Sequence, residues 1–122
     1  MMAHLQDGAF NDTTILRPET ARLMHFRQSG PHPALNGMAL GFYEQNRNGH
    51  RIISHDGDSI YFHSGLYLIP DVQLGLFMSY NRAGKGEIDP RAALFEKLMD
   101  PWMRAIELLG LHRRARHLGG PL

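Results

Sequence analysis

The residues of this chain with the most chemical capacity stand together at Ser54-His55-Asp56-Gly57-Asp58. An imidazole can bind an anion, donate a hydrogen bond or move a proton near neutral pH. A glycine removes the side chain that would hold a ligand away from the backbone, and a strand edge presents N–H groups to whatever approaches it. On local pattern two readings stand. One is a polar turn with His55 bonded to backbone, the commoner use of such a cluster; the other is a binding edge.

The chain has eight histidines and no cysteine. The missing cysteines exclude disulfides, zinc–thiolate sites and a cysteine nucleophile. No His-Glu-x-x-His occurs, and no helical i, i+4 histidine pair has an acidic partner. His55 and His63 fall on neighbouring expected strands and could approach each other, but the expectation is no metal and no cofactor. An activated serine is missing too. Ser29, Ser54, Ser59, Ser64 and Ser79 are the serines, Lys85 and Lys97 the lysines, and no lysine follows a serine by three residues. A Gly-x-Ser-x-Gly elbow is absent, and Gly84-Lys85-Gly86 lacks the spacing of a phosphate loop. A serine without a paired base is a poor nucleophile.

The elements that must position the cluster can be read from periodicity and punctuation. Residues 1–7 resemble the last turns of a helix, ending at Gly8, and suggest a chain truncated at its start. Residues 10–16 read as a loop with Asn11-Asp12 as turn chemistry. Pro18 suits the first position of a short helix over 18–25, with Glu19 complementing its positive end. Residues 29–33 are a connector. Alternation over 38–46, including Leu40, Phe42 and Glu44, predicts a strand. Asn46-Arg47-Asn48-Gly49 is hairpin chemistry, and 51–55 returns as the second strand. Residues 61–69 and 74–80 supply a third and a fourth, broken by Pro70-Asp71. Short connections make an antiparallel meander the natural topology. Asp89 caps a helix opened by Pro90, whose apolar face (Leu94, Phe95, Leu98, Met99, Trp102, Met103, Ile106) should pack on the sheet. Pro101 is expected to kink or split it.

At 122 residues and 43% hydrophobic the chain permits one domain with a real core. A net charge of +1 gives no drive toward nucleic acid or acidic membranes. No stretch approaches the roughly 20 apolar residues of a membrane span. Arg113, Arg114 and Arg116, with His112 and His117, read as a solvated basic tail over 110–122.

Several phrases, in order, resemble the β-lactamase-related serine hydrolases, the family of class C β-lactamases, D-alanyl-D-alanine carboxypeptidases and related esterases. They are Ile15-Leu16-Arg17-Pro18-Glu19-Thr20 with Met24, Gly41-Phe42-Tyr43, His55-Asp56-Gly57, Phe62-His63-Ser64, Leu68-Ile69-Pro70-Asp71, and Gly75-Leu76-Phe77-Met78-Ser79-Tyr80-Asn81. Together they cover about residues 3–100. That family's site has a Ser-x-x-Lys nucleophile and base, a Tyr-x-Asn-type element, and a Lys/His-x-Gly triplet on a sheet strand. His55-Asp56-Gly57 matches the third; the first two are missing here.

The resemblance implies an α+β fold: an antiparallel meander with packed helices, forming part of a β-lactamase/transpeptidase-like domain over 1–109. It implies catalytic roles for His55 and for Asp58, whose backbone N–H would be one of two oxyanion-hole donors. His55, Asp56 and Gly57 would bind substrate. Many penicillin-recognising relatives have a hydroxyl residue where Asp56 stands. An ionised Asp56 pointing into the cleft would repel a substrate carboxylate and favour an ester, amide or amino-terminal peptide. Tyr61, where many relatives have glycine, would narrow the cleft. The expected protein is thus a hydrolase fragment that meets a small-molecule or peptide substrate once the missing half is present. The alternative is a non-catalytic binding or accessory module that keeps the cleft wall. An exposed sheet edge and an uncovered apolar face would follow in either case.

Overall fold

The computed structural model describes residues 1–82 and 89–109. The Gly84-Lys85-Gly86 turn, the basic tail and the side chains of Met103 and Ile106 lie outside that description.

The chain folds as α+β. Helix α1 (Met2–Leu5) leads into a two-stranded hairpin, β1 (Ala9–Phe10) and β2 (Thr13–Thr14), and then helix α2 (Pro18–His25). A four-stranded antiparallel sheet follows, with β3 (Tyr43–Arg47), β4 (His50–Asp58), β5 (His63–Ile69) and β6 (Leu74–Tyr80) in the order β3-β4-β5-β6. Helix α3 (Pro90–Leu108) completes the described chain. Each strand pairs with the next in sequence, as short connections favour.

Local chemistry explains most of the boundaries. The β3–β4 hairpin turns on Asn48 and Gly49, both at positive φ (51° and 77°), which a two-residue turn matched to strand twist requires. That turn fixes the register Arg47↔His50, Gln45↔Ile52 and Tyr43↔Ser54. Pro18 opens α2 behind an extended Arg17. Asp89 caps α3: its Oδ1 accepts the Arg91 backbone N–H at 2.9 Å.

Four expectations change. The strand expected over 38–46 begins only at Tyr43. Gly41 takes φ of 76° and the Ala39 N–H bonds back to the Phe42 carbonyl, so apolar alternation there builds a turn. The short β1–β2 hairpin, paired Ala9↔Thr14 and Phe10↔Thr13, overlaps the expected loop over 10–16. The third strand starts at His63 rather than residue 61. Pro101 does not split α3, which runs through it as one helix; its fixed φ is helical, so a proline removes one ladder bond without necessarily ending the element.

The sheet is buried on both faces. On one face Ile52, Tyr67 and Ile69 pack with Phe95 and Met99 of α3, joined by Leu74, Leu76 and Met78 of β6. Tyr67 stacks on Phe95 with ring centroids 4.4 Å apart. On the other, Ile53, Leu66 and Leu68 pack with Phe42, Ala39, Leu5 and Met24, so the N-terminal helices cover what α3 does not. Polar side chains under this second layer are paired. The buried Glu44 carboxylate accepts from Arg51 Nε at 2.6 Å and lies 3.6 Å from Arg27. His25 is buried; its ring is 3.1 Å from His4 Nδ1, and both rings meet Phe42 edge-on. Arg51 also donates to the His25 carbonyl. Among the described residues no helix is long and apolar enough to cross a membrane.

Candidate functional site

Ser54-His55-Asp56-Gly57-Asp58 lies wholly inside β4, not in a turn. Its partner on one side is β5, in the register His55↔Leu66, Asp56↔Gly65, Gly57↔Ser64 and Asp58↔His63. Pairing on the other side stops at Tyr43↔Ser54, because β3 ends there. From His55 to Asp58 no strand among the described residues pairs with that side of β4, and this edge is open there.

The direction of the open groups follows from the hairpin. In a two-residue hairpin the residues flanking the turn form a hydrogen-bonded pair, and such pairs alternate along the ladder. With Arg47↔His50 as that pair, the even-numbered residues of β4 turn their N–H and C=O toward β3. The amides of Asp56 and Asp58 thus face the open edge. Those of His55 and Gly57 face β5.

Side-chain alternation separates the motif. Ile53 belongs to the N-terminal layer and Ile52 to the α3 layer, so His55 and Gly57 fall on the N-terminal face and Asp56 and Asp58 on the α3 face. His55 is exposed and stacks on Tyr43 with ring centroids 5.7 Å apart and planes 7° off parallel. Gly57 lies close to Ser64, whose Oγ would stand 2.9 Å from any Cβ added there. Asp56 accepts from the Tyr67 hydroxyl at 3.3 Å. Asp56 thus stands on the face opposite His55. Burial, reinforced by the Asp56 charge and its hydrogen bond, pushes the Tyr67 phenol up to about 12.

The carboxylate of Asp58 is the centre of a network that sequence reasoning missed. His63 Nδ1 lies 2.6 Å from Asp58 Oδ1. Arg91, buried at 8% exposure, places Nη1 3.0 Å from Oδ1 and donates from Nη2 to Oδ2 at 3.2 Å. The same guanidinium donates to both oxygens of Asp89 and to the Ser64 carbonyl. Tyr80 stacks on His63 at 5.1 Å and donates to Asp89 Oδ1 at 3.0 Å. The His63 hydrogen bond, then that of Arg91, holds the Asp58 carboxyl below its ordinary range. Arg91 likewise holds Asp89 at about 2, and its own pKa rises in return. The result is a clamp that ties the N-terminus of α3 to the ends of β4, β5 and β6. His63 is bound into it and faces away from His55, so the two histidines do not meet.

No family model matches this chain, and no curated protein or solved structure matches it either. The functional reading therefore stands on the geometry and on the sequence phrases alone.

Nothing local pointed to this clamp. Asp89 was legible as a helix cap, but Arg91 reaches Asp58 across 33 residues of sequence, and a single arginine two residues beyond a cap carries no signal of its own. Among the described residues no serine hydroxyl bonds to a histidine or a lysine. Ser54 Oγ accepts from Gln45, Ser59 Oγ bonds around Phe62, and Ser64 Oγ lies 3.5 Å from the Gly57 carbonyl.

Proposed function

We propose that this chain is the C-terminal part of a β-lactamase-like serine hydrolase, acting by acyl-enzyme chemistry on an ester, amide or β-lactam when a segment carrying Ser-x-x-Lys joins it. The observation that carries this reading is the open edge of β4, where the Asp58 amide faces an unpaired side beside Gly57. Attack of a serine oxygen on a carbonyl carbon moves an electron pair onto the carbonyl oxygen. A donor already aimed at that oxygen stabilises the charge without reorganising, and one such donor is worth on the order of 100-fold or more in rate.

In this reading Asp58 lends its N–H as one donor, and the clamp on its carboxylate keeps the amide aimed outward. The second donor belongs to the absent nucleophile. His55 and Gly57 line the substrate side, with His55 held flat against Tyr43 and able to pass a proton or bind an anion. Asp56 is turned to the α3 face and bonded to Tyr67. The repulsion of a substrate carboxylate drawn from its sequence position then loses its basis, and carboxylate-bearing substrates stay within reach.

Co-expression with the segment encoded upstream is the test. A Ser-x-x-Lys there, and hydrolysis of an activated aryl ester by the associated pair but by neither part alone, is the expected result. A folded, associated pair without hydrolysis would sink it.

The second reading is a binding or accessory module. It is favoured by the serine hydroxyls, all of whose described partners are backbone groups or Gln45. It predicts that a peptide or ester analogue binds at the β4 edge with no turnover in either arrangement.

A further inference from the structure

The N-terminal layer holds a polar cleft at the hairpin end of the sheet. Its volume is about 440 Å³, within the range of roughly 300–1,000 Å³ usual for small-molecule sites. Its walls come from α2, β3, β4 and the turn after α1. Arg51 on that wall and Asp58 stand at opposite ends of β4, about 23 Å apart along the strand. The cleft is therefore separate from the open edge beside Asp58.

The charges on its walls do not balance. Among the described residues they are Arg22, Arg27 and Arg51 against Asp7 and Glu44. His25 also lines the cleft and adds no charge at neutral pH: burial first, then His4 and Arg51, lowers its pKa from 6.5. Asp7 answers Arg22 at 2.8 Å. Glu44 is shared. Arg51 Nε lies 2.6 Å from one oxygen of this buried carboxylate, and Arg27 Nη1 lies 3.6 Å from the other. One positive charge is left over between Arg27 and Arg51, whose side chains are only 25% and 37% exposed. Partial loss of water makes an unbalanced cation costly, and an anion beside it offsets that cost.

The cations are also held in place. Arg22 spends Nε and Nη2 on Asp7. Arg51 spends Nε on Glu44 and Nη2 on the His25 carbonyl. The Nη1 group of each has no hydrogen-bond partner among the described residues. Arg27 donates to the Pro33 and His32 carbonyls. Gly30 and Gly37 lie against its guanidinium, where an added Cβ would stand 2.1 Å from Nη2 and 2.5 Å from Nε respectively. Donors fixed before a ligand arrives lose little freedom on binding it.

The remaining wall selects the kind of anion. Phe26, 67% exposed, and Pro70 border the same cleft, so an acid with an apolar body has a surface to lie on. A single surplus charge matches a carboxylate better than a phosphate group, which carries about −1.5 to −2 at pH 7. Guanidinium groups pair with carboxylates through short, charge-assisted hydrogen bonds.

We propose that this cleft binds a small organic carboxylate, its head at Arg22 and Arg51 and its apolar body against Phe26 and Pro70. The proposal is independent of the hydrolase reading.

Amide NMR titration of the intact chain at constant ionic strength tests it, with benzoate, acetate, benzyl alcohol and inorganic phosphate as probes. Benzoate should bind at one site. Acetate lacks the body and benzyl alcohol lacks the charge, so each should bind at least about tenfold more weakly. Arg22→Gln should weaken benzoate about tenfold. Arg17→Gln, which changes an exposed arginine of the same region that does not line the cleft, should leave it unchanged. Phe26→Ala should weaken benzoate severalfold and leave acetate as it was. Phe26, Arg17 and Arg22 are all exposed, so the far-UV spectrum should be retained in every variant. Absence of benzoate binding overturns the proposal. So does phosphate binding as tightly as benzoate, or equal losses in Arg17→Gln and Arg22→Gln. Loss of benzoate binding once the chain is joined to its upstream segment would show that this segment fills the cleft, and would overturn it as well.

Discussion

Asp58 uses its two ends differently. Its amide faces an open strand edge, while its carboxylate is held by His63 and Arg91 on the α3 face. Both Asp58 and Asp89 have carboxyls depressed in the fold, Asp58 through the His63 bond first and Asp89 to about 2 through Arg91. A depressed carboxyl contributes stability that is fully present above its unfolded pKa, about 3.9, and lost as pH falls through its folded value. Thermal stability should therefore fall as pH drops from about 4 to about 2, and Arg91→Met should flatten that stretch. The opposite face titrates elsewhere. Burial lowers the pKa of His25, helped by His4 and Arg51, and burial lowers that of His4. The unfolded chain then binds more protons than the folded one just below the ordinary value of about 6.5. Stability should fall as pH drops through that value and on toward the folded pKa values. A His4→Gln, His25→Gln double variant should lose that dependence; a midpoint equally sensitive in both proteins would refute the assignment. Sequence alone named His55 and Asp58. It raised His63 only as a neighbour for His55 and was silent on Arg91 and the His4–His25 pair, because these contacts depend on which residues the fold brings together from far apart in the chain.

At the scale of elements, the strands with turn chemistry at their ends were legible. Asn48-Gly49 set the β3–β4 register, Pro70-Asp71 separated β5 from β6, and Asp89-Pro90 opened α3 where expected. What failed was the reading of polarity as turn. Asp56-Gly57-Asp58 looked like a loop, yet β4 runs through it to Asp58, because Tyr67 and Arg91 give its two carboxylates partners on the α3 face. The reverse error occurred at residues 38–42, where apolar alternation imitated a strand and Gly41 at positive φ made a turn. Pro101 is the other informative case. It is exposed and interior to α3, so it leaves a ladder bond unmade without repaying the loss by packing. Pro101→Ala should raise stability by up to about 3 kcal/mol, the propensity difference in a helix interior. Urea unfolding measures it, and a destabilised variant would show that the proline shapes how α3 lies on the sheet.

For the whole molecule, one sheet holds two layers apart, and α3 supplies most of one of them. Phe95 is 5% exposed and stacked on Tyr67; Phe95→Ala should cost about 3–5 kcal/mol, enough to unfold a domain of marginal stability. If α3 were only loosely docked, urea unfolding would register a far smaller loss. Among the described residues, His55–Asp58 on β4 and all of β6 have a strand partner on one side only. The first is the one we propose for a substrate and a nucleophile from outside this chain. That assignment is exposed most directly by fluorophosphonate labelling read as intact mass, on the chain alone and on the chain joined to its upstream segment. The alone arm should stay unmodified, and the joined arm should gain one adduct, on the upstream serine. Stoichiometric modification of a serine in this chain, or no adduct in a joined and folded pair, would contradict it.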